Sequence, residues 1–235
     1  MGEPWRVEND MADVAVALAV LARRSSCRTG EVISMTRIII FAKAPQPGFA
    51  KTRLIPALGA KGAADLARRM LFNTLEEALA ASVGPVELCV TPEIDAAEWQ
   101  GIHLPSGIEI FDQGEGDLGA RLARAAERAL TVDEQIVLIG SDCPELTRVL
   151  LREAGEALNR HDAVIYCTVD GGYALLGFKR FDHLLFSDMP WSTSAIAATT
   201  IARIRQLGWS VRIGQTLHDV DVPEDLKFVP AKFCI

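Results

Sequence analysis

Three cations, Lys43, Lys51 and Arg53, fall within the short stretch Phe41-Ala42-Lys43-Ala44-Pro45-Gln46-Pro47-Gly48-Phe49-Ala50-Lys51-Thr52-Arg53-Leu54. An arginine fork combined with lysine point charges suits a diphosphate better than a carboxylate. The apolar run Ile38-Ile39-Ile40 leads into this stretch as a buried strand, and the two prolines with Gly48 force a non-helical excursion at its carboxyl end. Open α/β sheets bind ligands at that end. The stretch therefore reads as an anion cradle, with Ala42, Pro45 and Thr52 completing the binding loop, or else as a surface loop whose charges are merely solvated. It has neither the Gly-x-x-x-x-Gly-Lys-Ser/Thr nor the Gly-x-Gly-x-x-Gly pattern.

Carboxylates follow at three later points. In Gly140-Ser141-Asp142-Cys143-Pro144-Glu145, Asp142 comes just after a strand, where it either caps a helix or holds a divalent cation that in turn holds a diphosphate. In Val169-Asp170-Gly171-Gly172-Tyr173, Asp170 binds metal or acts as a base, or the segment is simply a tight hairpin turn. In His218-Asp219-Val220-Asp221-Val222-Pro223, Asp219 and Asp221 alternate along an extended segment and so point the same way. Such a pair suits a hard cation, although Asp221 can also cap a last helix starting at Pro223. The glycine-rich turn from Gln113 to Arg121 could grip a base or ribose edge, with Arg121 near the phosphates. Trp191 lines an acceptor pocket or staples a helix start capped by Ser192 or Thr193, and Cys143 is redox-sensitive if exposed.

The elements that must position these groups alternate along the chain. Strands are expected at 37–42, 86–91, 108–111, 135–140, 163–166, 172–178 and 210–213, with helices at 60–82, 118–130, 145–159 and 193–207. This alternation predicts an α/β fold: a single domain over residues 35–235 whose central sheet is mostly parallel, with helices on both faces. Residues 1–34 read as an N-terminal extension with a helix at Asp13–Arg24, and Met35 is an alternative start. The net charge of −7 over 235 residues argues against a general nucleic-acid or membrane-surface binder, so the expected partner is a nucleotide-sugar or nucleotide, met locally. A homo-oligomer is left open. Five scattered cysteines, Cys27, Cys89, Cys143, Cys167 and Cys234, form no Cys-x-x-Cys pair, and no export signal is read, so a reducing cytoplasm is expected.

Taken in order, Phe41 to Leu54, Gln113-Gly-x-Gly-Asp-Leu-Gly-x-Arg121, Ile139-Gly-Ser-Asp-Cys-Pro144, Asp170-Gly-Gly-Tyr173, Pro190-Trp-Ser-Thr193 and Asp219-Val-Asp-Val-Pro-Glu-Asp-Leu226 resemble one bacterial family. It is the glycosyltransferase-A-like family often called arsenosugar-biosynthesis glycosyltransferases, and the resemblance covers roughly residues 36 to 228. It implies a GT-A-like nucleotide-diphospho-sugar transferase domain and a metal-dependent glycosyl transfer from a nucleotide-sugar. The alternatives are nucleotidylyl transfer with release of pyrophosphate and a non-catalytic nucleotide-binding protein. Carried over, the resemblance implies that Lys43, Lys51 and Arg53 contact phosphates and that Gln113, Gly119, Arg121 and Ser141 lie near the nucleotide. Magnesium or manganese would be held by Asp142 and Asp221, with Asp219 beside them. The catalytic set would be Asp170, Lys51 and Arg53, and Gly171, Gly172, Tyr173 and Trp191 would face the acceptor. The chain departs from the family at Ala174, where members show a second aromatic, and at Val222, where they show threonine.

Overall fold

A computed structural model describes residues 35–233. The expected extension and its helix, Cys27 and Cys234 lie outside the described residues. Seven apolar runs form one sheet: β1 (Thr36–Lys43), β2 (Val86–Thr91), β3 (Ile108–Asp112), β4 (Gln135–Gly140), β5 (Ala163–Cys167), β6 (Tyr173–Phe178) and β7 (Val211–Ile213), in the order β3-β2-β1-β4-β6-β5-β7. All neighbours pair in parallel except β6, which runs antiparallel to β4 and β5. The parallel strands thus all end at one edge of the sheet, and the short β5–β6 hairpin turns there without a crossover helix.

Among the described residues, four helices cover the faces: α1 (Ile55–Ala81), α2 (Leu118–Leu130), α3 (Arg148–Leu158) and α4 (Ile196–Gln206). Gly59, at φ 69°, breaks the first turn of α1, so its regular part begins where the sequence pattern does. The period of two along the central strands sorts the core. Ile38 and Ile40 pack with Leu71, Leu75, Leu151 and Leu158 under α1 and α3, whereas Ile39 packs with Leu122, Ala126 and Ile204 under α2 and α4. A third, smaller cluster joins Leu54, Leu66, Met70 and Val220. The expected helices at 145–159 and 193–207 start later than their patterns suggested. Residues 143–146 and 190–195 are spent on turns, in which Leu146 N–H donates to the Cys143 carbonyl and Thr193 Oγ1 to the Pro190 carbonyl.

At the amino ends of β1, β2 and β3 a charged network closes on itself. Arg37 donates to Asp133 at 2.5 Å and to Glu109 at 2.6 Å, and the fully buried Glu87 is shared between Arg37 and Arg128. On the outer surface, Glu77 of α1 accepts from the backbone N–H, Nε and Nη2 of Arg148 at 2.7 to 2.9 Å, capping α3 and joining the two helices. Hydrogen bonds from Arg148 hold the Glu77 carboxyl down at about 2. A depressed carboxylate contributes stability above its unfolded range and loses it as pH falls toward the folded value. A Glu77→Gln variant should therefore melt lower than the parent at pH 7, and the gap should narrow between about pH 4.5 and pH 2. Melting curves across that window check this.

Candidate active site

The sheet order reverses at β1: the chain leaves β1 for β2 on one side and returns to β4 on the other. Loops leaving the carboxyl ends of two such strands diverge and open a crevice. Four segments meet there. They are the loop after β1, the turn after β4, the β5–β6 hairpin and the extended stretch after β7.

Lys51 stands at the centre. Its Nζ lies 3.2 Å from Asp142 Oδ2 and 3.4 Å from Asp221 Oδ1, with the side chain only 12% exposed. Burial works against its ammonium, but Asp142 and Asp221 together overcome this and hold its pKa above the ordinary lysine value. The backbone there is left-handed, φ 48° and ψ 44°, a conformation costly for a residue with a Cβ and concentrated at functional sites. Arg53 Nη1 donates to Asp221 Oδ2 at 2.6 Å and remains open to solvent. The next residue, Leu54, is fully buried in the third cluster beside Val220, which separates Asp219 from Asp221. That packing sets the phases of both segments: with Leu54 and Val220 turned inward, Lys51, Asp219 and Asp221 face the crevice. The Val220 N–H also donates to the Asp142 carbonyl at 2.9 Å, tying the two acidic segments together.

The capping alternatives are now decided. The α3 N-cap is Thr147, so Asp142 is no helix cap. At Pro223 a 3-10 helix runs to Phe228, but Asp225 Oδ2 accepts the Asp221 and Val222 N–H groups, both at 2.9 Å. Asp221 is thereby free to face the cations. Asp170 staples the hairpin: Oδ1 accepts from Thr168 Oγ1 at 2.5 Å and from Gly172 N–H at 2.9 Å. The exposed residue keeps Oδ2 outside these bonds. Asp219 is pushed up to about 6 by burial and then by the charges of Asp170 and Asp142.

Other expected site residues take structural duties. Gln113 is buried, its Nε2 donating to the carbonyls of Ala42 and Cys89 and its Oε1 accepting from Arg121. Arg121 and Arg124 bond the turn's carbonyls at Gly116, Gln113 and Glu115, while Asp117 caps α2. The pattern Gly114-x-Gly116-x-x-Gly119 thus forms a self-contained turn whose helix end is already occupied. Gly119 is buried where a Cβ would stand 2.5 Å from the Phe186 carbonyl and 2.9 Å from the Trp191 indole nitrogen. The Trp191 N–H and the Tyr173 hydroxyl are buried in the core under α2 and α4 without a hydrogen-bond partner among the described residues. Lys43 is exposed, 4.2 Å above the Phe49 ring. Pro45 is buried, Thr52 is exposed at the start of a 3-10 turn and Ser141 is half-buried next to Asp142. Cys143 is 4% exposed, and burial pushes its thiol up to about 12, so it is not a redox handle.

The profile of a family of bacterial proteins, DUF2064, described as uncharacterized and conserved in bacteria, matches residues 74–193. The chain belongs to that family. A candidate nucleotide-diphospho-sugar transferase from Desulfovibrio desulfuricans G20 is 30% identical over 85% of this DUF2064 chain and 87% of its own, with a TM-score of 0.78. Two more distant structures share the fold. One is a CMP:2-keto-3-deoxy-manno-octonic acid synthetase in complex with CTP, 11% identical over 83% of this chain and 96% of its own, TM-score 0.54. The other is a Mycobacterium tuberculosis H37Rv protein in complex with manganese, 15% identical over 83% and 97%, TM-score 0.52. No curated protein matches the sequence. The DUF2064 fold here is that of the nucleotide-diphospho-sugar transferase superfamily.

Residue typing overlooked several supports of the site. Gly140 leaves room for Asp142, since a Cβ there would stand 2.7 Å from Asp142 Oδ1. Asp225, three residues into Val222-Pro223-Glu224-Asp225, could have been found as the acidic partner of a capping pattern. Glu145, which accepts the His218 N–H at 2.9 Å, had no signal. Gly171, at φ 92°, would bring a Cβ to 2.1 Å from the Ser194 carbonyl, and backbone cannot step aside cheaply. A Gly171→Ala variant should lose roughly 1–3 kcal/mol in urea unfolding; unchanged stability would contradict this packing.

Proposed function

We propose that this protein is a metal-dependent glycosyltransferase that takes a nucleotide-diphospho-sugar as donor. One observation carries the reading: Lys51, Arg53, Asp142, Asp219 and Asp221 converge at the sheet's reversal point, on the fold of nucleotide-diphospho-sugar transferases. The exposed cations Lys43 and Arg53 and the buried Lys51 would bind the diphosphate and offset the charge that builds on the departing nucleoside diphosphate. Asp170, fixed through Oδ1, would accept the acceptor's hydroxyl proton at Oδ2.

The donor set suits magnesium or manganese. Asp142 and Asp221 already share one cation, the Lys51 ammonium, and two carboxylates completed by substrate phosphates are a usual way to hold magnesium. Among the described residues no group of three or more His, Cys, Asp or Glu side chains is arranged to hold a metal ion, so the substrate's phosphates would have to complete the coordination. Asp142 and Asp221 would hold the ion, with Asp219 beside them, and when bound it would supply Lewis-acid stabilisation of the leaving diphosphate. The manganese complex of a fold relative supports the choice of metal.

A second reading, nucleotidylyl transfer from a nucleoside triphosphate, is favoured by the basic first loop and by the CTP complex of a fold relative. The two separate on their leaving groups. Incubation with nucleotide-sugars should release a nucleoside diphosphate, whereas pyrophosphate released from triphosphates would shift the assignment to nucleotidylyl transfer. An Asp142→Ala variant should lose about 100-fold or more in turnover while melting within a few degrees of the parent. A fully active variant would sink both readings.

A further inference from the structure

The site's central cation belongs to the protein itself. Lys51 Nζ occupies the space between Asp142 Oδ2 and Asp221 Oδ1, at 3.2 and 3.4 Å. A magnesium ion binds its oxygens at roughly 2.0–2.1 Å, so an ion shared by the same two oxygens and this ammonium exclude one another. An ordinary structural ion pair needs no strained backbone. Here the pair is built on a left-handed lysine, and its four-carbon stem rises from a loop whose neighbouring Arg53 and Lys43 project into solvent. An ammonium evicted from between its carboxylates cannot stay unpaired where it is only 12% exposed. Asp219 is the carboxylate left within reach of its charge, and an anion entering the crevice is the other partner it can take.

We infer that Lys51 is a resident placeholder: a divalent ion binds Asp142 and Asp221 only by displacing its ammonium, which passes to the donor's diphosphate, so that metal and diphosphate bind as one coupled event. The inference rests on the donor-binding reading above for the identity of the anion, but not for the competition itself. Charge balance favours the exchange. Among the described residues, the ion pairs of Asp142 and Asp221 are with Lys51 and Arg53, and Asp219 adds a further carboxylate beside Asp142, Asp170 and Lys51. An incoming divalent ion meets that excess, and the incoming diphosphate receives the released lysine. The protein alone would bind metal weakly, and neither ligand would reach full affinity without the other.

Manganese titrations of the full chain, followed calorimetrically and by the electron paramagnetic resonance of free manganese, test this without any turnover. Lys51→Met should bind manganese alone at least tenfold more tightly than the parent, and Lys51→Gln should do the same. Lys51→Arg, which keeps the charge, should stay as weak as the parent, and adding Asp142→Asn to Lys51→Met should abolish the gain. Circular dichroism melts confirm that each variant is folded. In the parent, saturating cytidine, uridine or guanosine diphosphate should raise manganese affinity at least tenfold, and this coupling should shrink in Lys51→Met. If folded Lys51→Met and Lys51→Gln bind manganese no more tightly than the parent, or do not bind it, the placeholder role is wrong. If the variants gain affinity but no nucleotide binds the parent, the donor reading fails while the competition stands.

Discussion

An ammonium that water barely reaches must be met by carboxylates, and in this fold both come from far along the chain. Asp142 lies 91 residues after Lys51 and Asp221 170 residues after it. Joining them commits the loop after β1, the turn after β4 and the segment after β7 to a single arrangement. Much of the free energy that permits this is apolar. Leu54 and Val220 share a small cluster against α1, and their burial fixes which way the adjacent charged residues face. A charge cluster held by a hydrophobic hinge behind it can stay partly uncompensated, and so remain receptive to ligands, without the loops flying apart.

The sheet supplies the other half of the constraint. With β6 as its one reversed strand, the hairpin carrying Asp170 turns at the same edge where β1, β4, β5 and β7 end. The first loop brings cations, the other three bring carboxylates, and no pair of segments adjacent in sequence could provide both. This division makes the site depend on the whole sheet rather than on a local motif.

Much of that plan was legible before any coordinates. The strands and helices follow from periodicity because Ile38 to Ile40, Val86 to Val90 and Gln135 to Ile139 are buried on both faces and leave few alternatives. The same-side geometry of Asp219 and Asp221 followed from alternation alone. What escaped was the division of labour among polar groups. Gln113, Arg121 and Asp225 look like ligand-binding residues or surface charge in the sequence. The partners of Gln113 are backbone carbonyls of distant segments, at Ala42 and Cys89, and no spacing rule reports such pairs. Likewise Lys51 reads as one phosphate-seeking lysine among several, since neither its left-handed backbone nor its burial has a signature in residue type.

The network at the far end of the sheet has a practical consequence. There Arg37, Arg128, Glu87, Glu109 and Asp133 satisfy one another, with Glu87 entirely shielded. It is built from the same kinds of side chain as the crevice, yet it has little left to offer a ligand. A lesion such as Glu87→Gln would take the shielded carboxylate from Arg37 and Arg128, leave Arg37 its bonds to Asp133 and Glu109, and act on folding alone. The molecule therefore contains its own reference, a cluster of like chemistry and opposite purpose, against which damage to the chemistry can be told apart from damage to the scaffold.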